Sequence, residues 1–141
     1  MVDLMHGIEI EAKPKDVYAA VATQKGMRGW WTADSVMQAK PGGTVEFGFE
    51  KRAVVFRMRV EALEPGRRVA LSCSGDPDEW AGTSLEWTVT PTAEGTRIAF
   101  CHGNWKAMTP YTMMCNSTWG ELMYRLKKYV ETKRPNPHWK R

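Results

Sequence analysis

The chain has 141 residues, 43% of them hydrophobic and 26% charged, and carries a formal net charge of +4. A chain of this length is expected to form one domain over residues 1–141, burying roughly 68% of its unfolded surface around a single core. Its apolar runs are only a few residues long, and Met1 to His6 shows no basic start followed by an apolar stretch. The expectation is therefore no membrane span, no secretory leader and a soluble, cytoplasmic protein.

Three cysteines, Cys73, Cys101 and Cys115, have no C-x-x-C spacing. An odd count without a leader implies reduced thiols, so neither a disulfide nor a zinc site is expected, and no other metal or cofactor is indicated. The charge is uneven. Residues 125–141 hold seven Lys/Arg against Glu131, a balance of +6, while residues 1–124 hold thirteen against fifteen, or −2. Cations in the last turns of a helix complement its dipole and read as a solvated face, which leaves 134–141 as a basic, mobile tail. No interleaving of aromatic and basic residues marks a nucleic-acid binder.

In chain order, Leu4, His6, Ile8 and Ile10 alternate with Met5, Gly7, Glu9 and Glu11, the period of a strand with one buried face. Pro14 then opens a short helix with Val17, Ala20 and Val21 inward. A second short helix or turn carries Trp30 and Trp31. Pro41-Gly42-Gly43 is a turn, and five strands follow it as an antiparallel meander. Inward parity takes in Val45, Phe47 and Phe49, then Val54, Phe56, Met58 and Val60, then Val69, Leu71 and Cys73. It continues with Leu85, Trp87 and Val89, then Ile98, Phe100 and His102. The opposite parity carries Glu46, Glu50, Arg57, Arg59, Glu61, Glu86 and Arg97, so one face is core and the other wet. Cys73 and Cys101 fall on opposite faces.

Thr109-Pro110 announces a long helix that ends before Pro135. At about 24 residues and roughly 1.5 Å each it spans about 36 Å, enough to cross about seven strands. Cys115, Thr118, Trp119, Leu122, Leu126, Tyr129 and Val130 lie near one face of it.

Strand, two short helices, meander and long terminal helix together resemble the helix-grip, birch-pollen-allergen-like fold of the START-like, or SRPBCC, superfamily. The implied class is α+β, with a curved antiparallel sheet of six or seven strands wrapped on the C-terminal helix. Gly29-Trp30-Trp31-Thr32, Trp80-Ala81-Gly82-Thr83 and Gly95-Thr96 leading to Phe100-Cys101-His102-Gly103-Asn104-Trp105 sharpen the likeness. So do Cys115 through Trp119 and Tyr129-Val130-Glu131-Thr132. These motifs are similar to the branch named after the activator of the heat-shock chaperone's ATPase. One departure is Lys133-Arg134-Pro135, where that branch has a glycine-rich continuation. The resemblance implies a cavity between sheet and helix, used across the superfamily for lipids, sterols, polyketides and other apolar molecules. Some relatives are enzymes and many are not.

The expected function is accordingly binding of a small apolar or aromatic ligand by Trp30, Trp31, Phe47, Phe56, Met58, Trp87, Phe100, His102, Trp119 and Met123. Two alternatives stand beside it, a cyclase- or hydrolase-type enzyme using the same cavity and a chaperone-associated interaction module on the surface. For chemistry, His102 ends a strand with inward parity, and Cys115 sits near the start of the long helix, whose dipole would lower a thiol's pKa. A Cys–His pair needs both within hydrogen-bond reach, which spacing alone does not place. Glu9, Glu46, Glu61 and Glu86 share the outward parity, so no acid pair faces inward, and no phosphate-cradling loop is present. Met108, Met113 and Met114 suit an adaptable lip or a homodimer contact.

Overall fold

A computed structural model describes residues 1–140. Strand β1 (Val2–Ile10) leads into α1 (Pro14–Ala22) and α2 (Gln24–Trp30), followed by β2 (Asp34–Met37), β3 (Thr44–Phe49), β4 (Val54–Glu64) and β5 (Arg68–Asp76). A single 3-10 turn over Asp78–Trp80 precedes β6 (Ser84–Thr92) and β7 (Gly95–Trp105), and α3 (Pro110–Thr132) closes the chain of elements. The seven strands form one antiparallel sheet in the order β1-β7-β6-β5-β4-β3-β2. This is the helix-grip arrangement expected from the order of elements.

Local chemistry sets the helix ends. Pro14 supplies the fixed φ of a first turn, and α1 stops at Thr23, which leaves helical geometry at φ −133°. Thr23 then serves both helices, because its hydroxyl donates to the Ala19 carbonyl at 2.7 Å and accepts from the Gly26 amide at 3.0 Å. The sharp reversal between α1 and α2 requires glycine at 26, where a Cβ would lie 2.4 Å from the Ala19 carbonyl oxygen. Thr109 and Thr112 form a reciprocal capping box at the start of α3. Lys133, in the left-handed region at φ 62°, ends it. Its 23 residues reach about 34 Å, comparable with the width of the sheet.

Parity holds in the centre of the sheet and breaks at two bulges. Val45, Phe47, Met58, Val60, Val69, Leu71, Leu85, Trp87, Ile98 and Phe100 are buried on the concave side. A register shift between Val60 and Ala62 on β4 turns Leu63 toward the core, opposite Val69. A second lies where β7 meets β1, with Leu4 paired to His102 but Val2 to Trp105. Asn104 sits there at φ 68°, and Trp105 is thereby buried despite its odd spacing from His102. On the convex face the outward charges pair with one another: Arg57 with Glu46 and Asp76, Arg68 with Glu64 and Glu86, Arg97 with Glu9. Exposed pairs of this kind contribute about 0–1 kcal/mol each, so the fold rests on the concave side.

Over residues 136–139 the segment after α3 departs from the mobile tail expected of 134–141, of which Arg141 lies outside the described residues. Asn136, His138 and Trp139 donate their amides to the carbonyls of Gly29, Trp30 and Trp31, and Ala33 donates back to Trp139. Arg125 clamps the Asn136 carbonyl and Glu121 accepts from His138, so residues 136–139 form a strap along the end of α2. The lysine and arginine count of this stretch hid two aromatic anchors, His138 and Trp139, whose rings lie 4.2 Å apart.

Candidate functional site

The concave side is filled by aromatic rings where a continuous cavity was expected. Trp31 stacks on Phe47 at 4.0 Å and meets Trp119 edge-on at 4.9 Å. Trp119 packs on Phe100 at 4.3 Å, Phe100 on Trp87 at 5.1 Å, and Trp30 leans on both Trp31 and Trp87. Six of the candidate binding residues, Trp30, Phe47, Met58, Trp87, Phe100 and Met123, are each at most 2% exposed and sit in this packed layer.

Open space remains at one end of the layer. A pocket of about 330 Å³ lies between the first half of α3, the β3–β4 hairpin, the 78–80 turn and the strap. Trp31, Phe56 and Trp119 are the candidates that line it. The other walls are Phe49, Glu50, Val54, Trp80, Tyr111, Met114, Cys115, Thr118, Leu122 and Trp139. Val54 and Met114 are 46% and 70% exposed, so the pocket opens to the surface beside them. Glu50, whose strand parity placed it outward, stands at this rim because Glu50, Lys51 and Arg52 all take left-handed φ values of 51°, 57° and 69° and turn the hairpin back. Tyr111 and Trp139 lie outside the sheet's alternation, and Trp80 was visible only as part of a motif.

His102 belongs to the core rather than to this pocket. The indole nitrogen of Trp119 can only donate, and it donates to Nδ1 of His102 at 3.1 Å. The ring proton therefore resides on Nε2, which donates to the Thr83 hydroxyl at 2.9 Å, and Thr83 in turn donates to the Trp80 carbonyl at 2.6 Å. Burial pulls the His102 pKa down from 6.5 to about 3, so the ring is neutral across the physiological range. Its two nitrogens are committed to holding Trp119 and the 78–83 turn in place. This is an orienting role toward the pocket walls and not toward an occupant.

Cys115 does line the pocket, but burial raises its thiol pKa, overriding any help from the start of α3. The Tyr111 hydroxyl and Trp80 indole are its polar neighbours, whereas His102 is fully engaged elsewhere, so the two do not form a nucleophile–base pair. Burial likewise raises Tyr111. Cys73 is raised to about 11 in the core, and Cys101 lies on the opposite face near Asp3 and Glu86. Glu9, Glu46 and Glu86 are held in the convex ion pairs. Among the described residues no cluster of His, Cys, Asp or Glu could hold a metal ion, and no helix is long and apolar enough to cross a membrane.

Comparison with known proteins places this geometry. The solution structure of the Aha1 dimer from Colwellia psychrerythraea superposes with a TM-score of 0.84 at 31% identity, covering 93% of this chain and 97% of that one. A Staphylococcus saprophyticus protein gives 0.79 at 15% identity over 96% of both chains. A Mesorhizobium loti protein gives 0.79 at 15% identity, over 93% of this chain and 98% of that one; both share the fold. No protein of curated function matches the sequence. Residues 11–131 match the family model described as Activator of Hsp90 ATPase homolog 1-like protein. With that span and the 31% identical relative, the chain belongs to the Activator of Hsp90 ATPase homolog 1-like family, of the SRPBCC type.

Proposed function

We propose that this protein binds a small hydrophobic or aromatic molecule in the pocket between α3, the β3–β4 hairpin and the strap. The observation that carries the reading is the wall itself, in which seven of thirteen side chains are aromatic around about 330 Å³. Ligand sites of this kind are concave, mostly apolar and of about 300–1,000 Å³, with a few polar groups to fix orientation. Trp31, Phe56, Trp80 and Trp119 would form the flat faces, and the packed layer behind them would hold those faces rigid. The three free thiols and absence of a membrane-crossing helix among the described residues support a cytoplasmic setting.

A homodimer is the accompanying reading, supported by the dimeric relative and by exposed Met113, Met114 and Tyr124 along α3. Native mass spectrometry of freshly purified protein counts subunits and detects any retained small molecule. Pocket binding itself is tested with the neutral fluorophore N-phenyl-1-naphthylamine. Thr118→Trp, which fills the pocket from a half-buried position on α3, is expected to weaken the probe about tenfold or more. Probe binding that is absent in the unaltered protein, or unchanged in Thr118→Trp, overturns the reading.

A further inference from the structure

The aromatic pocket is uneven in burial and in charge. On its inner side Trp31, Trp80 and Trp119 are at most 4% exposed, whereas Phe56 and Trp139 are only partly buried and Glu50 is exposed at the mouth. Phe49 stands between Phe56 and Trp139, its ring centroid 4.9 Å from one and 4.8 Å from the other, with the planes turned by 64° and 78°. Rings set at such angles wall a corner instead of stacking, and the next residue in the chain after Phe49 is Glu50.

Charge singles out the same end. No Lys, Arg or His lines the pocket, and Glu50 is its one carboxylate. Glu50 has no ion-pair partner among the described residues: Arg52 is held by Asp34 and Glu46, and Lys51 is not part of the wall. Glu79 adds to the negative potential from the 78–80 turn, since burial chiefly raises the pKa of Tyr111 and Cys115 and the Glu79 charge raises both further. An anion entering here would meet no countercharge. A cation would meet a carboxylate and aromatic rings, whose faces carry the negative end of the ring quadrupole. A primary ammonium sheds hydrogen bonds to water that rings do not replace, whereas a fully alkylated ammonium has none to lose.

We propose that the occupant carries a fully alkylated ammonium group on an apolar body, with the cationic head against Phe49, Phe56 and Trp139 beside Glu50 and the body against Trp31, Trp80 and Trp119. This rests on the reading that the pocket binds apolar molecules at all. The inner rings then supply unselective apolar contact, and the corner at the mouth selects for the positive charge.

The test compares benzyltrimethylammonium with neopentylbenzene, in which carbon replaces the charged nitrogen, as competitors of N-phenyl-1-naphthylamine. Glu50→Gln, at an exposed position, is expected to weaken benzyltrimethylammonium about threefold and to leave neopentylbenzene unchanged. Trp139→Leu, which keeps an apolar group, is expected to move the ratio of the two dissociation constants about threefold toward neopentylbenzene. In the unaltered protein the N-methyl protons of bound benzyltrimethylammonium are expected to shift upfield under the ring currents and to show nuclear Overhauser contacts with the rings of Phe49 and Trp139. That readout needs no variant to fold. If the ratio is the same in all three proteins and the N-methyl signal neither shifts nor shows those contacts, the inference falls and the pocket reading stands. The inference falls equally if neopentylbenzene alone displaces the probe or if neither compound does; if the probe itself fails to bind, both fall.

Discussion

The two ends of the concave face use the same residue type for opposite purposes. In the centre, Trp30 and Trp87 stand between sheet and helices, enclosed by other rings, and both are fully buried. At the other end, Trp80 and Trp139 stand on a 3-10 turn and on the C-terminal strap, and space remains between them and α3. Regular elements bring side chains in at fixed spacing, so large rings interlock to close packing. A turn and a strap do not repeat, and the gap they leave is the candidate site. Indole content alone therefore does not locate a pocket in this fold; the irregularity of the supporting backbone does.

Alanine substitution breaks that comparison most directly. Trp87→Ala in the packed centre is expected to cost about 3–5 kcal/mol, the range for truncating a large buried ring. Trp139→Ala removes a half-buried ring that meets Phe49 edge-on at 4.8 Å and His138 at 4.2 Å and is expected to cost about 1–2 kcal/mol. Urea denaturation of both variants gives the two values. Equal losses would mean that the strap is as much a part of the core as the sheet centre.

His102 connects the two regions, since it holds Trp119 on one side and the turn carrying Trp80 on the other. Its pKa is about 3 in the folded protein against 6.5 for a free histidine. The folded state therefore binds fewer protons than the unfolded state between those values. The neutral ring's contribution is fully present above pH 6.5 and is lost as pH falls toward 3, with a slope of up to about 1.4 kcal/mol per unit. Between pH 6.5 and 4.5 a loss of about 2 kcal/mol is expected from this residue. His102→Gln, which has no titratable ring, should show that much less acid dependence in urea midpoints compared across the same range. An unchanged acid slope in the variant would place the proton uptake elsewhere.

How much of this was legible in the sequence follows from the same distinction. Alternation identified the concave residues of all five meander strands, and the Thr109-Pro110 cap and Pro135 bounded α3 to within a few residues. Parity failed where the pleat is interrupted. The Asn104 bulge turns Trp105 inward, and the shift after Val60 does the same for Leu63. It also failed at Glu50, where strand geometry gives way to three left-handed residues. Inward parity was read as exposure to a ligand, but packing decides that, and packing depends on which rings meet across 16 residues, as for Trp31 and Phe47, or 88, as for Trp31 and Trp119. Trp139 carried no periodic signal because its place is set by backbone pairing with residues 31 and 33. The charge of its neighbours concealed an apolar anchor.

The smallest expected effect concerns the rim and asks whether its backbone is shaped for the pocket. Lys51 is exposed, has a φ of 57° and lies in the middle of the left-handed run that brings Glu50 to the opening. A left-handed conformation costs a side-chain-bearing residue about 1–2 kcal/mol, whereas glycine adopts it freely but loses more entropy on folding. Lys51→Gly is therefore expected to raise stability by about 0.5 kcal/mol, read from the urea midpoint. The packed centre has no comparable run, since the remaining non-glycine residues with positive φ, Asn104 and Lys133, are isolated. If the strain holds the hairpin against the pocket, the same variant should weaken N-phenyl-1-naphthylamine by about twofold to threefold while gaining stability, because a freer hairpin samples conformations in which Phe49, Glu50 and Val54 no longer form one wall. A gain in stability with unaltered affinity would separate the turn's strain from the pocket and leave Phe49 and Phe56, 4.9 Å apart on adjacent strands, as sufficient to hold that wall.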